Sequence, residues 1–467
     1  VKAGVKRNDV NMLEGSLADK IVVFALPLAI SSVLQQLFNA ADLAVVGRFA
    51  SSKAMAAVGS NASVINLIIS IFIGLSVGAG AVISMEIGKG DREAVFRTVH
   101  TVVLVSAIVG LVLVFAGIFL SKPILQLMGA PAEVMDLAIL YLRIYFLAMP
   151  ALMIYNYGSA ILRSKGDSKR PLYAMMVSGV LNILLNLLFV ICFHLHVIGV
   201  ALATVISNAL SAGIILFLLV KEEEPFRLSF KKLEIYKPGL LSMIRIGLPA
   251  GLQGAVFSLS NVVIQSAVNS FGADAIAGST AAVNFEFISY CAISAFVQAA
   301  VTFTSQNFGA LKFDRCRRVF GICMVSGFAV SMTIVFLLVT FRYRVIGLFT
   351  TDPDVIEFAM IRVMNAFILH FLISSYEISG GCLRGMNHSM VPAIISILGT
   401  CVFRLLYVFT YLPTHHRFDT LFHVYPLSWV ITGTATITAY FIIRRRVEKD
   451  YCHKKRKISN HTSVGFW

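Results

Sequence analysis

Long apolar runs alternate with short polar connections along the whole chain. The runs fall at 20–47, 54–86, 93–120, 133–162, 172–193, 197–220, 241–270, 274–307, 316–341, 354–383, 391–413 and 421–443. Each is long enough to cross a hydrocarbon core about 30 Å thick as a helix. The pattern predicts an all-α polytopic membrane protein with twelve transmembrane helices, several long enough to tilt, kink or protrude. The first run follows a polar segment and lacks a small-residue cleavage site, so it reads as a span and not a signal peptide.

Composition agrees with this pattern. Of the 467 residues 58% are hydrophobic and 13% charged, with a mean hydropathy of +0.83, against about 25% charged in a soluble domain. The net charge of +15 follows from topology. Lys89, Arg92, Arg163, Lys165, Lys169, Arg170, Lys221, Arg227, Lys231, Lys232, Lys237, Lys312, Arg315, Arg317 and Arg318 lie at alternate connections, on the same side as the basic tail from Arg444 to Lys457. The opposite connections carry only Arg48, Lys53, Lys122, Arg342, Arg344 and Arg417. The positive-inside rule places both termini in the cytoplasm and removes the need for a nucleic-acid partner. None of the seven cysteines forms a CxxC pair, so neither a disulfide framework nor a metal site is expected. No nucleotide-binding loop, HExxH or GxSxG occurs, which argues against ATP drive and against an enzyme.

The two halves repeat. Leu26-Pro27 matches Leu248-Pro249, Phe49 matches Phe271, and Pro131 matches Pro353, each at an offset of 222. Arg97 matches Arg318, and Leu162-Arg163 matches Leu383-Arg384, each at 221. Six spans per half put both halves in one orientation, related by an axis along the membrane normal. The expected organisation is an N-terminal lobe at 1–220, a charged linker at 221–240, a C-terminal lobe at 241–446 and a basic tail at 447–467. Two such halves around a central cleft suit alternating access to a site near the midplane.

Polar residues inside the spans mark the candidate chemistry. In LQQLFNAADLAVVGR, residues 34–48, Gln35, Asn39 and Asp42 fall on one helical face. A carboxylate in hydrocarbon is costly, roughly 2.5–3.5 kcal/mol on insertion scales, and defaults to a functional hypothesis. Asp42 can take a proton or bind a cation, and both states respond to an ion gradient. Pro27 lies on the same helix and can bend it. Asn182 and Asn186 share a face of the fifth span, and Thr204 can add an oxygen ligand. Asn156, Glu286 and Glu377 are candidate cavity residues. Arg404 is expected to pair with Glu377 or Glu286, since an unpaired guanidinium there is costly. Arg143 and Arg362 are expected to snorkel toward the interface, without a functional role.

Several stretches together resemble the multidrug and toxic compound extrusion transporters over about residues 14–446. They are LPLAISSVLQQLFNAADLAVVGRF at 26–49, GVALATVIS at 199–207, TFTSQNFGALKFDR at 302–315, the paired LRSKGDSKRP and LRGMNHSMVP, and LPTHHRFDTLFHVYPLSW at 412–429. The resemblance implies two six-helix lobes around a V-shaped cavity in a bacterial cell membrane. It also implies an exporter of small organic, often cationic, amphiphiles, with H+ or Na+ as the coupling ion; a monomer without a cofactor is expected. The family's first-helix Asp falls at Asp42. Relatives often carry Asp where this chain has Asn186, and Glu in the seventh span, where this chain has no acid. These departures favour H+. A flippase of a lipid-linked saccharide is the alternative reading, but its anionic cargo would call for several basic residues in the cavity.

Overall fold

A computed structural model describes residues 9–49, 52–127 and 132–462. Every regular element among them is helical. The spans are Ala18–Phe49, Ser52–Lys89, Arg92–Leu127, a broken fourth, Lys169–Cys192, His196–Val220, Lys237–Asn269, Ala273–Gly309, Phe313–Thr340, Pro353–Gly385, Met390–Thr414 and Phe418–Thr462. Helices are forced here because hydrocarbon offers no partner to a free backbone N–H or C=O. The fourth span is two helices, Ala132–Phe146 and Met149–Lys165, bent by 45° at their junction. Pro150 is the cause, since it has no N–H to donate across the break. Pro27, by contrast, sits within one continuous helix. The landmark Pro131 lies outside the described residues.

The helices form two lobes of six enclosing a V-shaped central cavity. The first span packs against both. Its first half buries Ile21, Phe24 and Ala25 in a cluster with Phe296, Phe303, Val319 and Tyr440, and Phe24 meets Phe303 edge-on at 5.6 Å. Its second half reaches the fifth span, as described below. The lobes touch at the end of the bundle that carries the 221–236 connection. A Cβ on Gly88 would stand 2.0 Å from the Gln306 carbonyl oxygen, and one on Gly309 would stand 2.1 Å from that of Met85. Only glycine lets the two backbones approach so closely. Gly88→Leu is therefore expected to exclude this closed arrangement. Transport in proteoliposomes should fall by about tenfold or more while the protein stays helical and monodisperse, because closure is one half of the alternating access that the repeat predicts.

The same end is stitched by polar contacts. Asn307 donates to the Met12 carbonyl (3.1 Å) and Arg315 to the same oxygen (3.1 Å). Gln306 donates to the Ser164 carbonyl (2.6 Å). Lys165 bridges Asp9 (2.7 Å) and Glu222 (2.9 Å), and Arg170 pairs with both Glu222 and Asp167. Burial raises the Glu222 carboxyl, but Lys165 and Arg170 outweigh it and hold the group below the ordinary 4.5. Its stabilisation is thus full above the unfolded value and is lost as pH falls through the lower folded one. Glu222→Gln should lower stability at neutral pH by about 2 kcal/mol and flatten the acid limb of a thermal-unfolding profile.

Candidate functional site

Asp42 enters the first lobe because the first and fifth spans pack closely. A Cβ on Gly179 would fall 1.9 Å from the Phe38 ring, so the ring lies against bare backbone one turn before Asp42. Asn186 follows Gly179 by two turns on the fifth span, and its Nδ2 donates to Asp42 Oδ1 at 2.5 Å. The same nitrogen lies 3.3 Å from Asn182 Oδ1, and Asn182 Nδ2 donates to Ser207 Oγ at 3.3 Å. Ser207 donates to the Thr204 carbonyl and Thr204 to that of Val200. Asn186 is fully buried and its Oδ1 has no donor. Tyr141 and Tyr145 of the fourth span lie within electrostatic reach of Asp42. No Lys or Arg pairs with Asp42 among the described residues. The helix widens into a π-helical stretch, Leu188–Cys192, just past Asn186, a distortion frequent at functional sites.

This cluster can hold a carboxylate in either protonation state. The amide of Asn186 donates to the ionised form. Turned about its last torsion, it offers a carbonyl to the protonated form, since the two ends of an amide differ only in donor and acceptor. The carboxylate and amide oxygens, with the Thr204 hydroxyl nearby, are also the hard ligands a small cation takes.

The other expected residues are dispersed. Gln35 and Asn39 are exposed on the first span, and Asn156 donates to Leu152 of its own helix at 2.9 Å. Glu377 is half-buried on the tenth span and makes no ion pair among the described residues. The expected partner of Arg404 is corrected. Glu286 is held by Arg362, with Nε to Oε1 at 2.7 Å and Nη2 to Oε2 at 3.0 Å. Arg362 does not snorkel. It is 5% exposed and also donates to Ser279 at 2.6 Å, because a planar fork facing a carboxylate satisfies both charges without water. Arg404, 1% exposed, donates instead to Ser428 at 3.2 Å and lies over the rings of Tyr425 (4.3 Å) and Phe257 (5.3 Å). Sequence reading missed Tyr141 and Ser207 and assigned Arg362 no role. Tyr141 and Tyr145 carry a legible signal, a polar-tipped pair one turn apart in the middle of an apolar run.

The profile of the MatE family matches twice, at residues 27–188 and 249–410. The chain is 31% identical over 386 residues to the probable multidrug resistance protein YoeA of Bacillus subtilis, covering 80% of this chain and 82% of that protein. It is 25% identical over 396 residues to the multidrug export protein MepA of Staphylococcus aureus, covering 82% and 85%. Among solved structures, the outward-facing conformation of a multidrug resistance MATE family transporter superposes with a TM-score of 0.88 at 22% identity, over 96% of this chain and 100% of that one. A transporter of the same superfamily from Pyrococcus furiosus superposes at 0.86 and 23%, over 95% and 98%. The chain therefore belongs to the multidrug and toxic compound extrusion family.

Proposed function

We propose that this protein exports amphiphilic organic compounds bearing a positive charge, in exchange for H+, with Asp42 as the coupling carboxylate. The observation that carries the reading is a carboxylate deep in the first lobe whose hydrogen-bond partner is a neutral amide, not a base. Such a group changes charge on meeting a proton, and the change alters which packing of the first span is favoured. Coupling follows when ion and cargo stabilise opposite conformations. Asn186 in place of a second acid leaves one formal charge in the cluster, which suits a proton better than Na+. The relatives named multidrug resistance and multidrug export proteins support the cargo class. With both termini and the basic linker in the cytoplasm, the closed end described above faces the cytoplasm and the cavity opens outward. The 1–220 and 241–446 lobes are the moving bodies, and the first span, packed on both, carries the signal between them.

The test is efflux of a fluorescent organic cation from proteoliposomes under an imposed pH gradient and, separately, an imposed Na+ gradient. Acceleration by the pH gradient alone is expected. Acceleration by neither gradient overturns the antiport reading, and acceleration by Na+ alone reassigns the ion.

A further inference from the structure

The internal repeat carries the Asp42 cluster into the second lobe with its charge reversed. At an offset of 222, Asn182 corresponds to Arg404, Asp42 to Ile264 and Asn186 to Val408. The two family matches begin and end 222 residues apart. The paired segments just before these helices lie at 221, and the widened π-helical turn at Ile397–Val402 supplies the one extra residue that brings Arg404 and Val408 into register with Asn182 and Asn186. At 221, Ser207 corresponds to Ser428 and Tyr141 to Arg362. The polar contact itself is reproduced. Asn182 donates to Ser207 at 3.3 Å in the first lobe, and Arg404 donates to Ser428 at 3.2 Å in the second. What has gone is the acid. Ile264 and Val408 are buried together in an apolar cluster that also holds Tyr376, Tyr425 and Trp429.

The result is a buried cation without an acid of its own. Arg404 lies over Tyr425 and Phe257, and ring faces offset only part of the cost of burying a guanidinium. Glu286 is a carboxylate in electrostatic reach, and both its oxygens are engaged by Arg362. His370 also lies within reach, and its Nδ1 is engaged with the Ser289 hydroxyl at 3.1 Å. A second donor lies on the same helix as Ser428. Trp429 adjoins Ser428 in sequence, its ring is 5.8 Å from that of Tyr425, and its buried Nε1–H has no acceptor. The eleventh span is π-helical on both sides of Arg404, at Ile397–Val402 and Tyr407–Tyr411. Such widened turns are frequent at ligand sites.

We infer that Arg404, positioned by Ser428, forms with Trp429 an anion site in the second lobe, fitted to a carboxylate or a halide. Ser428 itself accepts from Arg404 and gives its proton to the Tyr425 carbonyl at 2.7 Å. The guanidinium fork matches a carboxylate in two places, and a spherical halide can take the same donors. If the occupant is a carboxylate on the cargo, the favoured cargo carries both charges, its cationic end toward the acidic lobe and its anionic end on Arg404. That clause rests on the exporter reading; anion binding itself does not.

The chain has two tryptophans, Trp429 and Trp467. In a Trp467→Phe background, Trp429 is the only one left. Iodide is added to the purified full-length protein in detergent, at fixed ionic strength against isethionate. Trp429 is 1% exposed, so collisional quenching is weak and any strong quenching reports a bound ion. Saturable quenching is expected. Arg404→Gln should abolish it, and Arg404→Lys should keep it with roughly tenfold weaker affinity, as a point charge replaces the fork. Chloride competing where benzoate does not identifies a halide site, and benzoate competing identifies a carboxylate site. Absent or strictly linear quenching of the Trp467→Phe protein overturns the proposal, whether or not the Arg404 variants fold. No gradient is applied, so failure here leaves proton-coupled export standing, and failure of coupling leaves this site standing.

Discussion

Asp42→Asn is expected to abolish the response of export to a pH gradient while leaving the protein folded. The substitution keeps the shape of the side chain and removes its ability to change charge. Asn186 can turn to satisfy the new amide, because its Oδ1 has no donor in the wild type and an amide pairs with an amide as readily as with an acid. Loss of stability should therefore be small, within about 1 kcal/mol. Gradient-driven efflux should fall by about a hundredfold, to the rate of passive exchange, since a ligand with no differential affinity shifts no equilibrium. Downhill movement of cargo should persist. Retention of full coupling would move the search to Glu377. A companion variant, Asn186→Leu, removes the hydrogen bond but not the acid. It should keep coupling and move its pH midpoint, which separates a positioning residue from the carboxylate itself.

Much of this was readable in the chain because hydrocarbon is an unforgiving solvent. Apolar runs of span length, the basic connections and one acid among amides each have a single economical explanation in a bilayer. The repeat was readable because prolines and arginines kept their spacing over both halves. What could not be read was depth and facing. Arg362 looked like an interfacial arginine, about ten residues into its span, yet the tenth span turns it inward onto Glu286, 76 residues away in sequence. Arg404 was expected to pair with Glu377 or Glu286, and it meets rings and a hydroxyl instead. The rotation of one helix against another is set by contacts such as Phe38 on Gly179 and Gly88 on Gln306, and no periodicity within a single span reveals them. The first span belongs to both lobes for the same reason. Its packing partners change halfway along, which its sequence alone does not show.

Breaking the Glu286–Arg362 pair is expected to have the largest effect on stability. Arg362→Gln leaves the Glu286 carboxylate buried without a cation, a loss of about 3–5 kcal/mol. The Arg362 rings are lost too, since its guanidinium lies 5.1 Å from the Phe422 centroid and 5.7 Å from that of Tyr425. Glu286→Gln should cost less, about 1–3 kcal/mol, because Arg362 keeps Ser279 and those rings. Replacing both, as Glu286→Leu with Arg362→Met, should recover most of the loss, since exchanging a whole buried pair for apolar groups of like volume is close to neutral. A double-mutant cycle closed with the two glutamine variants and their own double, read by thermal unfolding in micelles, measures the coupling, and a coupling energy below about 0.5 kcal/mol would mean the two groups act independently. The apolar double variant also decides what the pair is for. Both carboxylate oxygens face the guanidinium, so Glu286 offers little to a passing cation. Proteoliposomes of the double variant should therefore still export cargo under a pH gradient. If they do not, the tenth span needs its charge pair for transport, and the acid assigned to structure in the second lobe takes part in the cycle with Asp42.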